Sequence, residues 1–299
     1  MSRSVRLAVF AAAVIGYLAG LAELAMHLTH DPLADVHAYY DAGARLNAGL
    51  PLYPATANPD VADFYRYPPL TAIVFRPLAA LPFPLAAGVW EALILAAFAL
   101  TLWRIGIRPR VLVVLGLLSL PTAWVLAIGQ AQALVTLLLV IGAPWAVALA
   151  GQLKLFPALA GLYWVGRGDW RSFGRFVAWS AGFAVLQLLL APQASLDFLG
   201  TLGPGQVGHV NNFSPWVISP WLWGVLIVAG VGGTLALAHT RWGWAAAVAL
   251  GTLAPPRLLT YMLSTLIAAM RRPDGTTHRP LAPLEVPSRL VRHGHAPET

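Results

Sequence analysis

Apolar residues fall along this chain in long runs, separated by short clusters rich in arginine. A helix that crosses a bilayer needs about 20 apolar residues. Segments that meet or approach that length lie at 5–29, 84–103, 111–128, 130–143, 144–156, 157–166, 176–192, 222–239, 242–254 and 258–270. The pattern predicts an all-α fold, a polytopic transmembrane bundle of about ten membrane helices. Several segments are short. The pairs near Pro144 and Pro157 read as a hairpin of half-length helices, tolerable only when packed inside protein. The stretch 68–82 contains Arg76 and four prolines and reads as a helix lying on the membrane surface.

Composition supports the membrane reading. Hydrophobic residues make up 58% of the 299 and charged residues 10%, where a soluble domain carries about 25% charged residues. So few charges could not cover a water-facing surface. The formal net charge of +7 comes almost wholly from arginine, with Lys154 the only lysine. Because the arginines sit between apolar runs, they fit cytoplasmic loops meeting anionic lipid better than a nucleic-acid surface. There is no cysteine, which removes disulfides and thiol chemistry.

The amino-terminal apolar run, through Leu28, is about twice as long as a signal-peptide core and favours an uncleaved first helix. The positive-inside rule places Arg3 and Arg6, the runs Arg104/Arg108/Arg110 and Arg167/Arg171/Arg175, Arg241, and Arg271/Arg272 in the cytoplasm. Both termini then lie on that side of the plasma membrane. Residues 1–272 form one membrane domain, with external loops at 30–83 and 193–221 and an external turn at Pro255–Arg257. The tail 273–299, rich in Pro, His and Arg, should be disordered and cytoplasmic.

The first external loop holds the candidate chemistry. It carries Asp31, Asp35, Asp41, Asp60 and Asp63, and Asp35 begins a stretch, 35–48, with helical spacing of Val36, Tyr39, Tyr40, Gly43 and Leu46. A carboxylate there could simply cap a helix start. Within the apolar segments sit Glu23, Glu91, Gln130, Gln152 and Lys154, and ionisable groups at membrane depth usually face a cavity or a partner. Lys154 precedes a helix break at Phe156-Pro157 and could hold a lipid phosphate as a point charge or snorkel to the interface. Glu91 reads as a group that holds a bundle partner. In the second loop, Gly208-His209-Val210-Asn211-Asn212-Phe213-Ser214 offers hydrogen-bonding groups beside aromatics, while Trp216, Trp221 and Trp223 read as interface anchors. His239, His278, His293 and His295 fall on the cytoplasmic side, with little support for a metal. The acidic loop shows no tight ligand spacing, so no cofactor is expected and divalent-metal dependence stays open.

Several stretches, in order, resemble one family. They are Asp35-Val36-His37-Ala38-Tyr39-Tyr40, Gly49-Leu50-Pro51-Leu52-Tyr53, Phe64-Tyr65-Arg66-Tyr67-Pro68-Pro69-Leu70 and Arg76-Pro77-Leu78. Gly129-Gln130-Ala131-Gln132, Gly151-Gln152-Leu153-Lys154-Leu155-Phe156-Pro157 and Arg167-Gly168-Asp169-Trp170-Arg171 follow. Together they are similar to the GT-C superfamily of membrane glycosyltransferases, and within it to family 87, the DUF2029-type polyprenyl-phosphate-mannose α-1,2-mannosyltransferases. The chain departs from that pattern in lacking the usual basic turn between 130–143 and 144–156 and in having fewer helices after residue 222.

The resemblance implies hexosyl transfer, of mannose by analogy, from a polyprenyl-phosphate donor to a glycan or glycolipid acceptor at the outer membrane face, with inversion. It implies that Asp35 is the general base. Lys154 and Arg257 would neutralise the phosphate, and Gln130, Tyr67, His209 and Asn211 would hold sugar or phosphate. The residues themselves distinguish neither sugar nor acceptor. Membrane lipids are the remaining expected partners, and nucleic acid is not one. A transporter or lipid-linked sugar flippase is the competing reading, although such proteins usually show paired repeats with matching helix breaks, and a structural subunit is a further one.

Overall fold

A computed structural model describes residues 3–30, 32–54, 60, 65–203, 207–271 and 273. Asp31, Asp63, Arg272, His278, His293, His295 and all of the expected disordered tail except Pro273 lie outside these. Among the described residues every regular element is a helix. They are α1 (Arg3–His30), α2 (Ala34–Asn47), α3 (Pro69–Leu78), α4 (Phe83–Ile105), α5 (Pro109–Leu117), α6 (Ser119–Ala127) and α7 (Gln132–Ile141). Then come α8 (Pro144–Leu153), a 3₁₀ turn Phe156–Gly161, α9 (Leu162–Gly166), α10 (Trp170–Leu190) and α11 (Pro192–Gly200). A short 3₁₀ turn Pro215–Val217, α12 (Pro220–Leu237), α13 (Gly243–Leu253) and a 3₁₀ helix Thr260–Met270 complete the order.

Proline and small polar residues set many of the starts. Pro69, Pro109, Pro144, Pro192 and Pro220 each stand at the first residue of a helix, where the missing N–H would have had no partner anyway and φ is already helical. The Asp169 side chain caps α10 by accepting from the Ser172 N–H at 3.0 Å, and Ser219 caps α12 by accepting from the Leu222 N–H.

Four helices, α1, α4, α10 and α12, are long and apolar enough to cross a membrane; the bent pair α5–α6, broken by 68°, makes a possible fifth. By length and composition the described residues hold four or five such spans, against the expected bundle of about ten membrane helices. The expected segments at 130–143, 144–156, 242–254 and 258–270 become helices of 10 or 11 residues. An α-helix of that length is about 15 Å long, half of the hydrocarbon thickness.

The short helices form the interior instead. Val135, Leu139, Val147, Ala148, Trp244 and Val248 pack in one cluster and are fully or almost fully buried. The long helices show the opposite pattern, with large apolar side chains such as Leu189, Trp103 and Val228 more than 70% exposed. An apolar surface of that extent belongs against lipid. The second cluster of the core seats α2 and α3 against α4 and the 125–133 segment, through Val36, Tyr39, Phe75, Trp90 and Ala131.

The turn 127–131 is the hinge of this arrangement. Leu33 donates its N–H to the Ala127 carbonyl at 3.2 Å, and Asp35 donates to Ile128 at 3.1 Å, so the start of α2 is bound to the turn. Trp90 Nε1 holds the Gly129 carbonyl at 2.7 Å. Gly129 itself has φ +67°, and a Cβ there would lie 2.1 Å from Val36 Cγ2 and 2.4 Å from Glu91 Oε1. Gly129→Ala therefore combines a left-handed backbone with overpacking, and is expected to cost about 2–5 kcal/mol. Gly168→Ala is the control, because Gly168 also has φ +67° but nothing lies within 4 Å of its Cβ position. Thermal unfolding in detergent should show a much larger drop in midpoint for Gly129→Ala than for Gly168→Ala.

Candidate active site

α2 presents its first turn to the protein interior. Its N-cap, Leu33, has φ 61° and makes no side-chain capping bond. Asp35 therefore does not serve as the cap, which sets aside the bland expectation for it. Its Oδ1 accepts from the Tyr67 hydroxyl at 3.2 Å. That bond is the last of a directed series. Tyr39 Oη donates to Gln130 Oε1 at 2.6 Å, Gln130 Nε2 donates to Tyr67 Oη at 3.0 Å, and Tyr67 then donates to Asp35. The Tyr39 oxygen also accepts from the Ala131 N–H at 3.3 Å. Each hydroxyl spends its one proton in the same direction, so the series terminates on a group that can only accept.

Asp35 is half-buried. Burial pushes its carboxyl up from 3.8 to about 6, against the opposing effects of Lys154, the Tyr67 hydroxyl, Arg66 and Gln130, in that order. Burial and the Asp35 charge in turn hold the Tyr67 phenol well above its ordinary value, which keeps it a donor.

Lys154 comes to the same place from the other half of the chain. α8 ends at Leu153, and Lys154 adopts an extended backbone, φ −146° and ψ 120°, before the 3₁₀ turn that Pro157 helps to start. The side chain turns inward and is 8% exposed, so it does not snorkel. Its Nζ lies 5.0 Å from the Tyr67 ring centre and 4.7 Å from that of Tyr261, and donates to the Tyr261 hydroxyl at 3.4 Å. Two phenol faces thus cradle one ammonium group. Tyr67 touches both the carboxylate and the cation.

A cavity of about 210 Å³ opens beside them. Arg66, Tyr67, Gln132, Lys154, Arg257 and Thr265 supply its polar lining, and Phe156, Pro157, Phe198 and Met262 contribute apolar walls. Every charged residue among its described lining residues is a cation. Gln132 donates to Thr265, and Thr136 bonds the same hydroxyl, tying α7 to the 3₁₀ helix Thr260–Met270.

Arg257 reaches the rim by a separate route. It pairs with Asp60 at 3.1 Å and donates to the Val210 carbonyl at 3.3 Å. Asp60 also accepts from the backbone N–H groups of His209 and Val210, at 2.8 and 3.0 Å. Those bonds, the Val210 one foremost, hold the Asp60 carboxyl below its usual range. Asn212 fastens the second loop to the 256–258 turn, donating to the Gly208 and Pro256 carbonyls and accepting from Ser214 and Leu258.

The candidates thus separate. Asp35, Tyr67, Gln130 and Lys154 are brought together, and Arg257 joins them across the cavity. Gln130 is fully buried with both amide atoms engaged, so it touches the site through Tyr67. The side chains of His209 and Asn211 are exposed and do not line the cavity; His209 contributes its backbone N–H. Glu91 was expected to hold a bundle partner, but its buried Oε1 has no hydrogen-bond partner among the described residues. Glu23 bonds His27 at 3.1 Å, and Gln152 accepts from Gln187 at 2.6 Å. Tyr39, Tyr261 and Arg66 were missed as site residues. Tyr39 stands four residues after Asp35, a spacing that places both on one helix face.

The described residues thus form a helical membrane protein with a cavity lined by cations, and the Asp35 carboxylate, not itself among the described lining residues, is reached from it through the Tyr67 hydroxyl. The chain belongs to glycosyltransferase family 87, whose sequence profile matches residues 64–272. Asp35 precedes the matched region. The chain is similar to a polyprenol-phosphate-mannose-dependent alpha-(1-2)-phosphatidylinositol pentamannoside mannosyltransferase of Mycolicibacterium smegmatis, 30% identical over 261 residues, covering 77% of this chain and 63% of that protein. It is also similar to the protein of the same description from Mycobacterium tuberculosis, 27% identical over 254 residues, covering 70% and 56%. The chain thus spans about three-fifths of the length of these relatives. No solved structure matches it.

Proposed function

We propose that the chain transfers mannose from a polyprenyl-phosphate donor to a glycan or glycolipid acceptor, as the descriptions of its relatives suggest. The observation that carries this reading is the hydrogen-bond series from Tyr39 to Asp35, ending beside Lys154 at a cation-lined cavity. The acceptor hydroxyl oxygen attacks the anomeric carbon, and the bond from that carbon to the phosphate oxygen breaks. The electron pair stays on the leaving polyprenyl phosphate, and the hydroxyl proton passes to the Asp35 carboxylate. A single displacement inverts the anomeric centre. Lys154 stabilises the charge that develops on the phosphate. Family membership favours this reading over transport.

The setting follows the arginine pattern. We place both termini in the cytoplasm of a cell whose plasma membrane holds the protein, with loops 30–83 and 193–221 outside. The short interior helices are half-depth segments, which together with the long spans make up a bundle of about ten hydrophobic elements. A second cavity of about 490 Å³ shares Pro68, Leu155 and Phe198 with the first and is lined mainly by apolar residues of α8, α10 and α11. It offers the lipid tail of the donor a lateral path.

Purified protein should transfer labelled mannose from polyprenyl-phosphate-mannose to a phosphatidylinositol mannoside acceptor. Failure of the intact, folded protein to make the glycoside, with these substrates supplied, would remove the reading. The pH profile tests the base. The Asp35 carboxyl is raised to about 6, so its proton-accepting form prevails only above that pH. The rate should be level at neutral pH, fall as pH drops through 6, and be about tenfold lower one unit below. The stability effect has its own sign. Folding favours the protonated form, so the contribution of Asp35 to stability declines between pH 3.8 and about 6 and stays lowered above. Loss of rate on acidification therefore reports the base and not unfolding through Asp35.

A further inference from the structure

A small cavity lies deeper in the bundle, behind one wall of the large one. Its volume is about 20 Å³, and residues of α4, α6, α7 and the 3₁₀ helix Thr260–Met270 enclose it. The described lining holds four hydroxyls, those of Thr101, Thr122, Thr136 and Ser264, and is otherwise apolar. Thr265 lines the large cavity and bonds Thr136, which lines the small one, so the two stand back to back. The 3₁₀ helix serves both. With three residues per turn, positions i and i+3 share a face. Met262 and Thr265 accordingly face the large cavity, and Ser264 and Ile267 the small one. This helix runs for 11 residues, where stretches beyond three or four are uncommon, so its geometry needs support from outside its own backbone.

The four hydroxyls divide by what they have left to offer. A hydroxyl has one proton to give and two lone pairs to accept with. Thr122 spends its proton on the Leu118 carbonyl at 2.7 Å, Thr136 on that of Gln132 at 2.8 Å and Ser264 on that of Tyr261 at 2.8 Å. These three can therefore only accept. Thr101 differs. It is fully buried, and its Oγ1 makes no hydrogen bond among the described residues. One donor thus faces three acceptors across a space with room for one water molecule, which needs about 10–15 Å³. A buried hydroxyl without a partner is costly, and a molecule that accepts once and donates twice would satisfy this set. A cation fits poorly, since no carboxylate is among the described lining residues and its charge would stand unpaired in an apolar interior.

We propose that this cavity is a binding site for one water molecule, which accepts from the Thr101 hydroxyl and donates to the Ser264 oxygen and to one of the two remaining threonines. The water fastens the 3₁₀ helix to α4. That helix carries Tyr261, whose hydroxyl accepts from Lys154, and Thr265, which accepts from Gln132. The bound water is thus part of the support behind the large cavity. The inference does not depend on the reaction that the protein performs.

The test is the sign of a stability change in the full chain in detergent micelles. Thr101→Val keeps the shape of the side chain and removes its hydroxyl. In a dry cavity the change would relieve a buried polar group and raise the unfolding midpoint. With the water bound it strips away a hydrogen-bond partner, and the midpoint should fall by about 2–5 °C. A raised or unchanged midpoint would overturn the proposal. Ser264→Ala should lower the midpoint as well, and the double variant should lose less than the two single losses added together, because both act through the same water. Losses that add in full would also overturn it. A density map of the wild-type protein decides the matter without any variant, should one fail to fold. Density for a water within hydrogen-bond reach of Thr101 Oγ1 and Ser264 Oγ is the expected result. A dry cavity in a map that shows ordered water elsewhere in the protein interior would overturn the proposal. None of these readouts involves mannose transfer, so failure of the transferase reading would leave the inference standing.

Discussion

Replacing Asp35 by asparagine is expected to lower the rate of transfer by about 10²- to 10⁴-fold, the range a positioned general base contributes, while the protein stays folded. Asparagine keeps the shape and one acceptor oxygen, so the Tyr67 hydroxyl that bonds Asp35 at 3.2 Å retains a partner. What is lost is the capacity to take a proton. Because burial disfavours the charged carboxylate here, the neutral amide should leave the melting temperature unchanged or slightly raised. Activity and stability thus move apart, which a merely structural carboxylate would not produce. Turnover with purified protein, read beside a thermal melt of the same sample, checks this.

Lys154→Met should lower kcat/KM by about 10²- to 10³-fold, as loss of one charge-stabilising donor does elsewhere. Methionine fills similar space between the Tyr67 and Tyr261 rings, so the fold should survive. A second effect separates a charge role from a packing role. Lys154 is the largest influence holding the Asp35 carboxyl down against burial. Without it, the acid limb of the pH profile should move to higher pH. Lys154→Arg keeps the charge but must seat a wide, planar group where Nζ lies 4.7 and 5.0 Å from two ring centres. It should therefore restore the pH profile better than the rate. An unmoved acid limb in Lys154→Met would show that the two groups do not interact.

Some of this was legible in the residues. The segments expected at 5–29, 84–103, 176–192 and 222–239 correspond to α1, α4, α10 and α12, because a long apolar run has few other uses. Their starts were harder to place. α10 begins at Trp170 and takes in Arg171 and Arg175, charges that a helix tolerates at a membrane boundary and an apolar window excludes. The segments near Pro144 and Pro157 were legible as half-length helices, whereas those at 242–254 and 258–270 were not told from spans, since residues facing protein and residues facing lipid are equally apolar.

The site was less evident. Tyr39 follows from the helical spacing of α2. The meeting of Asp35 and Lys154 was available only through the family resemblance, because nothing local links positions on either side of six intervening helices. The Asp60–Arg257 pair joins residues 197 apart, a closure that only the packed fold specifies. His209 and Asn211 illustrate the limit of composition. A polar loop offers many plausible ligands, and here Asn212 and the backbone of His209 make the bonds instead.

The central claim is that one carboxylate, aligned by a row of buried hydroxyl and amide groups, takes the acceptor's proton. The most direct measurement compares glycolipids from cells lacking the protein with those from the same cells given back wild type or Asp35→Asn at equal abundance. The expected result is a mannosylated lipid that is missing from the deletion, returns with wild type and stays missing with Asp35→Asn. Full return with Asp35→Asn would contradict the account.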